Sequence, residues 1–274
     1  MRTVLAPVLL PLPEPYDFDV STERFRAFGI DNANLWHEGG LYRAVGGREV
    51  RIESAPGGVD VSPLDDETRR VALKLLGAEF DLDSFAAWAS GQPVLAELVP
   101  RLAGFRPPLS PDPFEALVTS ITAQQVSLFA ALAIRNRLVA RFGERVGLAW
   151  AFPTRERIAR ATEDEIVAVG FSRRKAEYLI GLARGDLDLD ALAGLDDDEV
   201  RARITAVRGL GAWTAEWFLA RHLARPRAWP AGDLALRKAA DLLYGVDVIE
   251  LGRRLDPFQN LSAHYLLTGS RVVG

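Results

Sequence analysis

The chain has 274 residues, no cysteine and a net charge of −4, and nearly half of its residues (49%) are apolar. That is enough for a real core in one large domain or two moderate ones, with no apolar run long enough to span a membrane. Disulfides, Cys-ligated zinc and a Cys-held iron–sulfur cluster are excluded, and the net charge argues on its face against a nucleic-acid partner, so any such role must rest on how charge is distributed.

Residues 1–11 carry one Arg and a short apolar stretch broken by prolines, without the small-residue cleavage site of a secretion signal. The chain therefore reads as cytoplasmic. Val20 to Phe28 is helical in pattern, with Ser21 or Thr22 as a cap. Glycine pairs at 39–40, 46–47 and 57–58 then punctuate short runs at roughly ten-residue spacing. Leu41–Val45, Glu49–Glu53 and Val59–Val61 alternate or are β-branched, as in an antiparallel meander. The prediction is an N-terminal α+β domain over residues 1–76, a small antiparallel sheet with a helix. A mainly α, all-helical bundle over residues 77–274 follows it.

Helical periodicity takes over from Asp65 to Leu76, then over Asp83–Ala89 and Val94–Leu102. Pro107, Pro108 and Pro111 form a stiff linker. Asp112 and Pro113 open the next helix with a cap and a first-turn proline, and that helix runs to about Gln125. Ser127 caps another, to Phe142. Glu163–Val169 and Ser172–Ala183 flank Gly170, a first hairpin. Asp196–Val207 and Ala212–Leu223 flank a second, at Gly209-Leu210-Gly211. Leu234–Leu243 and a C-terminal helix from about Pro257 to Thr268 complete the series. Arg135, Arg137, Arg141 and Arg145 form one basic cluster, and Arg173, Arg174 and Lys175 form another. Each is either a DNA-facing patch or an ordinary solvated helix face. Asp196 to Glu199 offset them and suit a helix N-terminus. His37, His222 and His264 stand alone, without the i, i+4 spacing of a metal pair.

The second hairpin is the informative stretch. Gly209 and Gly211 permit a tight turn with positive φ, and the unpaired amides at the start of the following helix suit a phosphate. Gly-x-Gly alone also fits a helix C-cap in a plain helical hairpin. A dinucleotide fingerprint would need a buried strand before it and a third glycine, where Thr214 stands. Asp233, just before Leu-Ala-Leu-Arg-Lys, reads as an N-cap whatever else it does.

The order Gly209-Leu210-Gly211, Trp213-Thr214-Ala215, then Pro230-Ala231-Gly232-Asp233 resembles the signature of the helix-hairpin-helix DNA glycosylases, closest to the 3-methyladenine DNA glycosylase II type. The resemblance extends to Pro113-Phe114-Glu115-Ala116-Leu117 and Gln124-Gln125-Val126-Ser127 and covers roughly residues 110–270. It implies base-excision repair of alkylated bases in duplex DNA, by a monomer that needs no catalytic cofactor. Asp233 would oppose the oxocarbenium charge that develops on the sugar, and would orient or deprotonate a water. Trp213 stands where bifunctional relatives carry a Schiff-base lysine, which implies a monofunctional enzyme that leaves an abasic site.

The remaining roles also follow from the resemblance. Trp213 and Trp217, one turn apart, would line the base pocket and stack on a cationic flipped base. Leu267 stands where relatives supply an aromatic, and Phe25 would close the pocket from the N-terminal domain. Gln125, beside Gln124, would be the wedge that fills the gap left by the extruded nucleotide. Backbone amides near Gly209, Gly211, Trp213 and Thr214 would hold phosphate. The carbonyls of Thr205, Val207 and Leu210 would hold a structural Na+ or K+. The rival readings are a non-catalytic DNA-binding module, in which Asp233 only caps a helix, and a glycosylase for oxidised or deaminated bases.

Overall fold

The computed structural model describes residues 6–272. The N-terminal part holds strands β1 (Val8–Pro11), β2 (Leu35–His37), β3 (Gly40–Val45), β4 (Arg48–Ala55) and β5 (Gly58–Ser62), with short helices α1 (Phe18–Thr22) and α2 (Arg24–Ala27) and a longer one, α3 (Asp66–Leu75). The sheet is antiparallel throughout, in the order β1-β5-β4-β3-β2. Its register sets Leu41 and Val61 on either side of Ile52, and Leu10 opposite Val59. These side chains, with Phe18, Phe25 and Leu75, form one apolar cluster. Helix α3 starts at a capping box in which Asp65 accepts from the Thr68 amide while the Thr68 hydroxyl accepts from the Asp65 amide.

The helices that follow are α4 (Leu82–Ala89), α5 (Pro93–Arg101), α6 (Pro113–Ala123) and α7 (Leu128–Phe142). A two-stranded hairpin, β6 (Glu144–Val146) with β7 (Ala149–Ala151), interrupts them. Then come α8 (Arg155–Ala159), α9 (Glu163–Ala168), α10 (Arg173–Arg184), α11 (Asp197–Ala206), α12 (Ala212–Arg221), α13 (Leu234–Tyr244), α14 (Val248–Arg254) and α15 (Gln259–Val272). A second apolar cluster runs from Phe80 to Leu267, and the sheet cluster ends at Leu76. Side-chain oxygens cap the helix starts as expected: Asp112 takes the Glu115 amide, Ser127 that of Ala130, and Asp196 that of Glu199.

A buried ionic network joins sheet to helices. Arg43 shares the inner face of β3 with Leu41 and Val45, and reaches Glu115 on α6 and Asn34. Arg135 on α7 bonds Glu115 at 2.6 Å and also pairs with Asp31. All four charged side chains are buried. Burial pushes the Glu115 carboxyl up, but the guanidiniums of Arg43 and Arg135 outweigh it and hold it below the ordinary value.

Several expectations need correction. The single helix expected over Val20–Phe28 is two: Asp17, not Ser21 or Thr22, caps the first, and the Thr22 hydroxyl turns back onto the Phe18 carbonyl where it ends. Strands β1 and β2 were not expected. β1 is an edge strand, where a terminal proline loses no ladder bond to a neighbour. The β6–β7 hairpin, which turns at Gly147 (φ +67°), lies where no element is expected. Helices α8 and α14 are too short for periodicity to announce.

Candidate active site

Helix α11 ends at Val207, whose carbonyl accepts from the Leu210 amide and closes the turn. Gly209 has φ +91°, and a Cβ there would lie 2.1 Å from Cγ of Tyr178, so both conformation and space demand glycine. Gly211 corrects the expectation of a second positive φ: at φ −104° it is the N-cap of α12, and a Cβ would meet nothing within 4 Å. Among the described residues the amides of Gly211, Ala212 and Trp213 make no hydrogen bond. The Thr214 amide already donates to the Gly211 carbonyl and its side chain is buried, so the Thr214 amide is not one of the open donors. The start of this ten-residue helix is thus an open set of N–H groups at the positive end of a dipole.

The loop between α6 and α7 is tied to the hairpin. Gln124 donates through Nε2 to the Gly209 carbonyl at 2.9 Å, so it anchors rather than projects. Gln125, in the left-handed region at φ +54°, is exposed at the tip. Exposed apolar side chains follow it: Val126, Leu128 and Phe129, the last 62% exposed and edge-on to Phe28 at 5.6 Å. Sequence reading missed Phe129 because an aromatic inside an apolar helical run looks like core.

The proline loop is held in place by Glu216, which takes the Trp229 amide at 2.9 Å and the Arg201 guanidinium at 2.6 Å. The indole of Trp229 in turn donates to the Val248 carbonyl at 2.9 Å. The loop delivers Asp233 to the start of α13. There Oδ1 accepts from the amides of Ala235 and Leu236 at 2.9 and 3.1 Å, and Oδ2 accepts from Nε1–H of Trp217 at 3.2 Å. Both oxygens are oriented and the side chain stays partly exposed. A carboxylate fixed this way suits stabilisation of a cation brought to it more than proton shuttling.

Trp217 is 4% exposed. Its Nε1 holds Asp233, its ring meets His264 edge-on at 5.8 Å, and the guanidinium of Arg221 covers its face at 3.6 Å. The stacking face assigned to a flipped base is therefore taken by a side chain of the same helix. Trp213 is partly exposed and borders Gly232, where an added Cβ would sit 3.6 Å from its ring. Leu267 does line a cavity, together with Arg24, Arg221, Arg271 and His264. The cavity holds about 20 Å³, room for a water and not for a purine. Phe25 does not line it: Phe25 belongs to the sheet core, and the neighbouring Arg24 presents to the cavity instead. A larger apolar cleft of about 300 Å³ beside α4 and α5 shares no residue with this site.

The charges around the cavity are lopsided. Arg271 pairs with Glu23 at 3.2 Å, but among the described residues the side chains of Arg24 and Arg221 make no hydrogen bond or ion pair. Nε of Arg221 and Nε2 of His264 are buried without partners. Burial, then the charges of Arg24 and Arg271, push Arg221 well below the ordinary arginine value. Burial, then the guanidiniums of Arg221, Arg24 and Arg271, hold His264 well below the ordinary histidine value. His222 is brought down to about 4 by burial, with Nδ1 2.8 Å from the Ser110 carbonyl.

The two basic clusters are not free patches. Arg135 is in the buried network, Arg137 donates to the Val169 carbonyl, and Arg141 pairs with Glu165. Arg173 pairs with Asp164, and Lys175 donates to the Thr122 carbonyl. Among the described residues no group of His, Asp or Glu side chains could hold a metal, and no helix is long and apolar enough to cross a membrane.

Fold and site together define a helix-hairpin-helix protein: open amides at Gly211–Trp213, an exposed loop tip at Gln125, and a tryptophan-oriented carboxylate at Asp233. The chain belongs to the HhH-GPD superfamily of base excision DNA repair proteins, whose model matches residues 118–254. It is 29% identical over 226 residues to the DNA-3-methyladenine glycosylase of Bacillus subtilis, covering 76% of this chain and 75% of that one. The 3-methyladenine DNA-glycosylase structure from Archaeoglobus fulgidus superposes with a TM-score of 0.87 at 25% identity, covering 97% and 99% of the two chains. The Schizosaccharomyces pombe 3-methyladenine DNA glycosylase in complex with abasic DNA gives a TM-score of 0.58 at 27% identity, covering 67% of this chain and 94% of that one.

Proposed function

We propose that the protein is a monofunctional DNA glycosylase that hydrolyses the N-glycosidic bond of flipped-out alkylated bases, of the 3-methyladenine and 7-methylguanine type, in duplex DNA. The observation that carries the reading is Asp233, whose carboxylate is fixed by two helix amides and the Trp217 indole in the loop after the glycine hairpin. As the glycosidic bond breaks, the sugar takes on positive charge, and a preorganised carboxylate lowers the barrier most where charge develops. A water adds to the sugar and an abasic site remains. A cationic leaving base needs little protonation, so one carboxylate is enough.

The remaining assignments stand with this reading. Gly211, Ala212 and Trp213 amides hold one strand's phosphate and Gln125 fills the gap left by the extruded nucleotide. The carbonyls of Thr205, Val207 and Leu210 suit a structural Na+ or K+: the Val207 carbonyl keeps a second lone pair beside its bond from Leu210. Residues 1–76 form one domain and 77–274 the catalytic one, and the enzyme acts as a cytoplasmic monomer. The test is base release from duplexes bearing methylated purines, with borohydride present. Release without strand nicking and without a borohydride-trapped complex is expected, because Trp213 is no Schiff-base nucleophile. A trapped covalent complex would refute monofunctional chemistry, and no release of any base would refute the glycosylase reading.

A further inference from the structure

The unpaired donors around Trp217 bear on which base the pocket reads, an inference that rests on the glycosylase reading above. The guanidinium carbon of Arg221 sits 3.6 Å over the centre of the Trp217 ring, its Nε is buried without an acceptor, and among the described residues the side chains of Arg24 and Arg221 make no hydrogen bond or ion pair. Both line the same cavity as Leu267 and His264. A buried donor such as Nε of Arg221 without an acceptor is costly, and such a group calls for a partner that completes it. The cavity is too small for a base until Arg221 leaves the indole face. Once a base takes that face, the guanidinium is displaced to the base's edge, where it meets whatever that edge presents.

We propose that Arg221 and Arg24 are specificity-determining residues that donate to the carbonyl edge of the flipped base and so select 6-oxopurines over purines with an amine or no oxygen at that position. Guanidinium donors match the O6 of guanine-type bases and clash with the donor N6 of adenine-type ones. 7-Methylguanine and hypoxanthine carry O6. 3-Methyladenine carries an amine there, and 1,N6-ethenoadenine carries no carbonyl. Arg271 is not part of the readout, since Glu23 already holds it. The two oxopurines differ in charge, one cationic and one neutral, so the selection is by edge and not by charge.

The experiment compares wild type, Arg221→Met and Arg24→Met, which keep bulk and lose the donors. Release of 7-methylguanine and 3-methyladenine is measured in one reaction on dimethyl-sulfate-treated DNA, and hypoxanthine against ethenoadenine in synthetic duplexes, under single turnover. Wild type should favour the oxopurine in both pairs. Each variant should lose about tenfold or more of that preference, the scale of one base-edge contact. Melting temperatures identify any variant that does not fold. On the wild-type protein alone, free 7-methylguanine should inhibit at lower concentration than free 3-methyladenine. Equal inhibition, a wild-type preference for the aminopurine, or ratios unchanged in folded variants overturn the proposal. Absence of release from every substrate would instead overturn the glycosylase reading.

Discussion

Glu115→Gln tests the joint between sheet and helices. Both Glu115 oxygens are engaged, one by Arg43 and one shared between Arg135 and Arg43, and the pairing partners are buried. Gln keeps the volume and removes one negative charge, which leaves a buried guanidinium uncompensated. Removing one member of a buried pair costs about 3–5 kcal/mol. Asn34 and Asp31 still contact Arg43 and Arg135, so the low end applies, about 3 kcal/mol. At about 2–4 °C per kcal/mol for a large domain, the melting temperature should fall by roughly 6–12 °C at neutral pH. The pH dependence has a definite sign. The folded carboxyls of Glu115 and Asp31 lie below their ordinary values, so their contribution is full above the unfolded pKa and fades as pH drops through the folded one. The gap between wild type and variant should therefore narrow in acid. Thermal unfolding by circular dichroism between pH 7 and pH 3 measures both effects. A melting temperature within about 2 °C of wild type at pH 7, or a gap that does not change with pH, would refute the reasoning.

Two hairpin glycines should separate fold from grip. Gly209→Ala drives a Cβ into the Tyr178 ring at positive φ and should cost about 2 kcal/mol or more of stability, read by chemical denaturation. Gly211→Ala meets open space and should melt within about 2 °C of wild type, yet bind duplex DNA more weakly by fluorescence anisotropy because its Cβ would stand at the proposed phosphate site. Equal loss of stability in both would contradict this division. Trp217→Phe keeps most of the packing and removes the bond to Oδ2 of Asp233, so single-turnover excision should slow about tenfold. An unchanged rate would mean that the cap alone orients the carboxylate.

Helix starts were the most legible feature of the sequence, because Asp112, Ser127 and Asp196 cap by local chemistry that needs no tertiary context. The meander strands β3 to β5 were legible from alternation and glycine turns, whereas β1 exists only through its distant partner β5, and β2, β6 and β7, three residues each, are too short for alternation to show. At the site, spacing and resemblance located the hairpin and Asp233. They could not show that Trp217 faces inward onto Arg221, or that Arg24 rather than Phe25 reaches the cavity. Both depend on rotation about a helix axis fixed by packing. Nor could spacing show that the arginines of α7 are spent on Asp31, Glu115, Val169 and Glu165, since their partners lie up to a hundred residues away.

The central claim is that Asp233 acts on the sugar and is more than a helix cap, and Asp233→Asn tests it most directly. Asn keeps the cap to the amides of Ala235 and Leu236 and loses only the acceptor for the Trp217 indole, so stability should drop by about 1 kcal/mol. The charge that opposes the oxocarbenium ion is gone, and single-turnover base release should fall by about a hundredfold to a thousandfold. Affinity for lesion-containing duplex should persist, because the hairpin amides and the Gln125 loop are untouched. A folded, DNA-binding Asp233→Asn protein that releases bases at the wild-type rate would contradict the account.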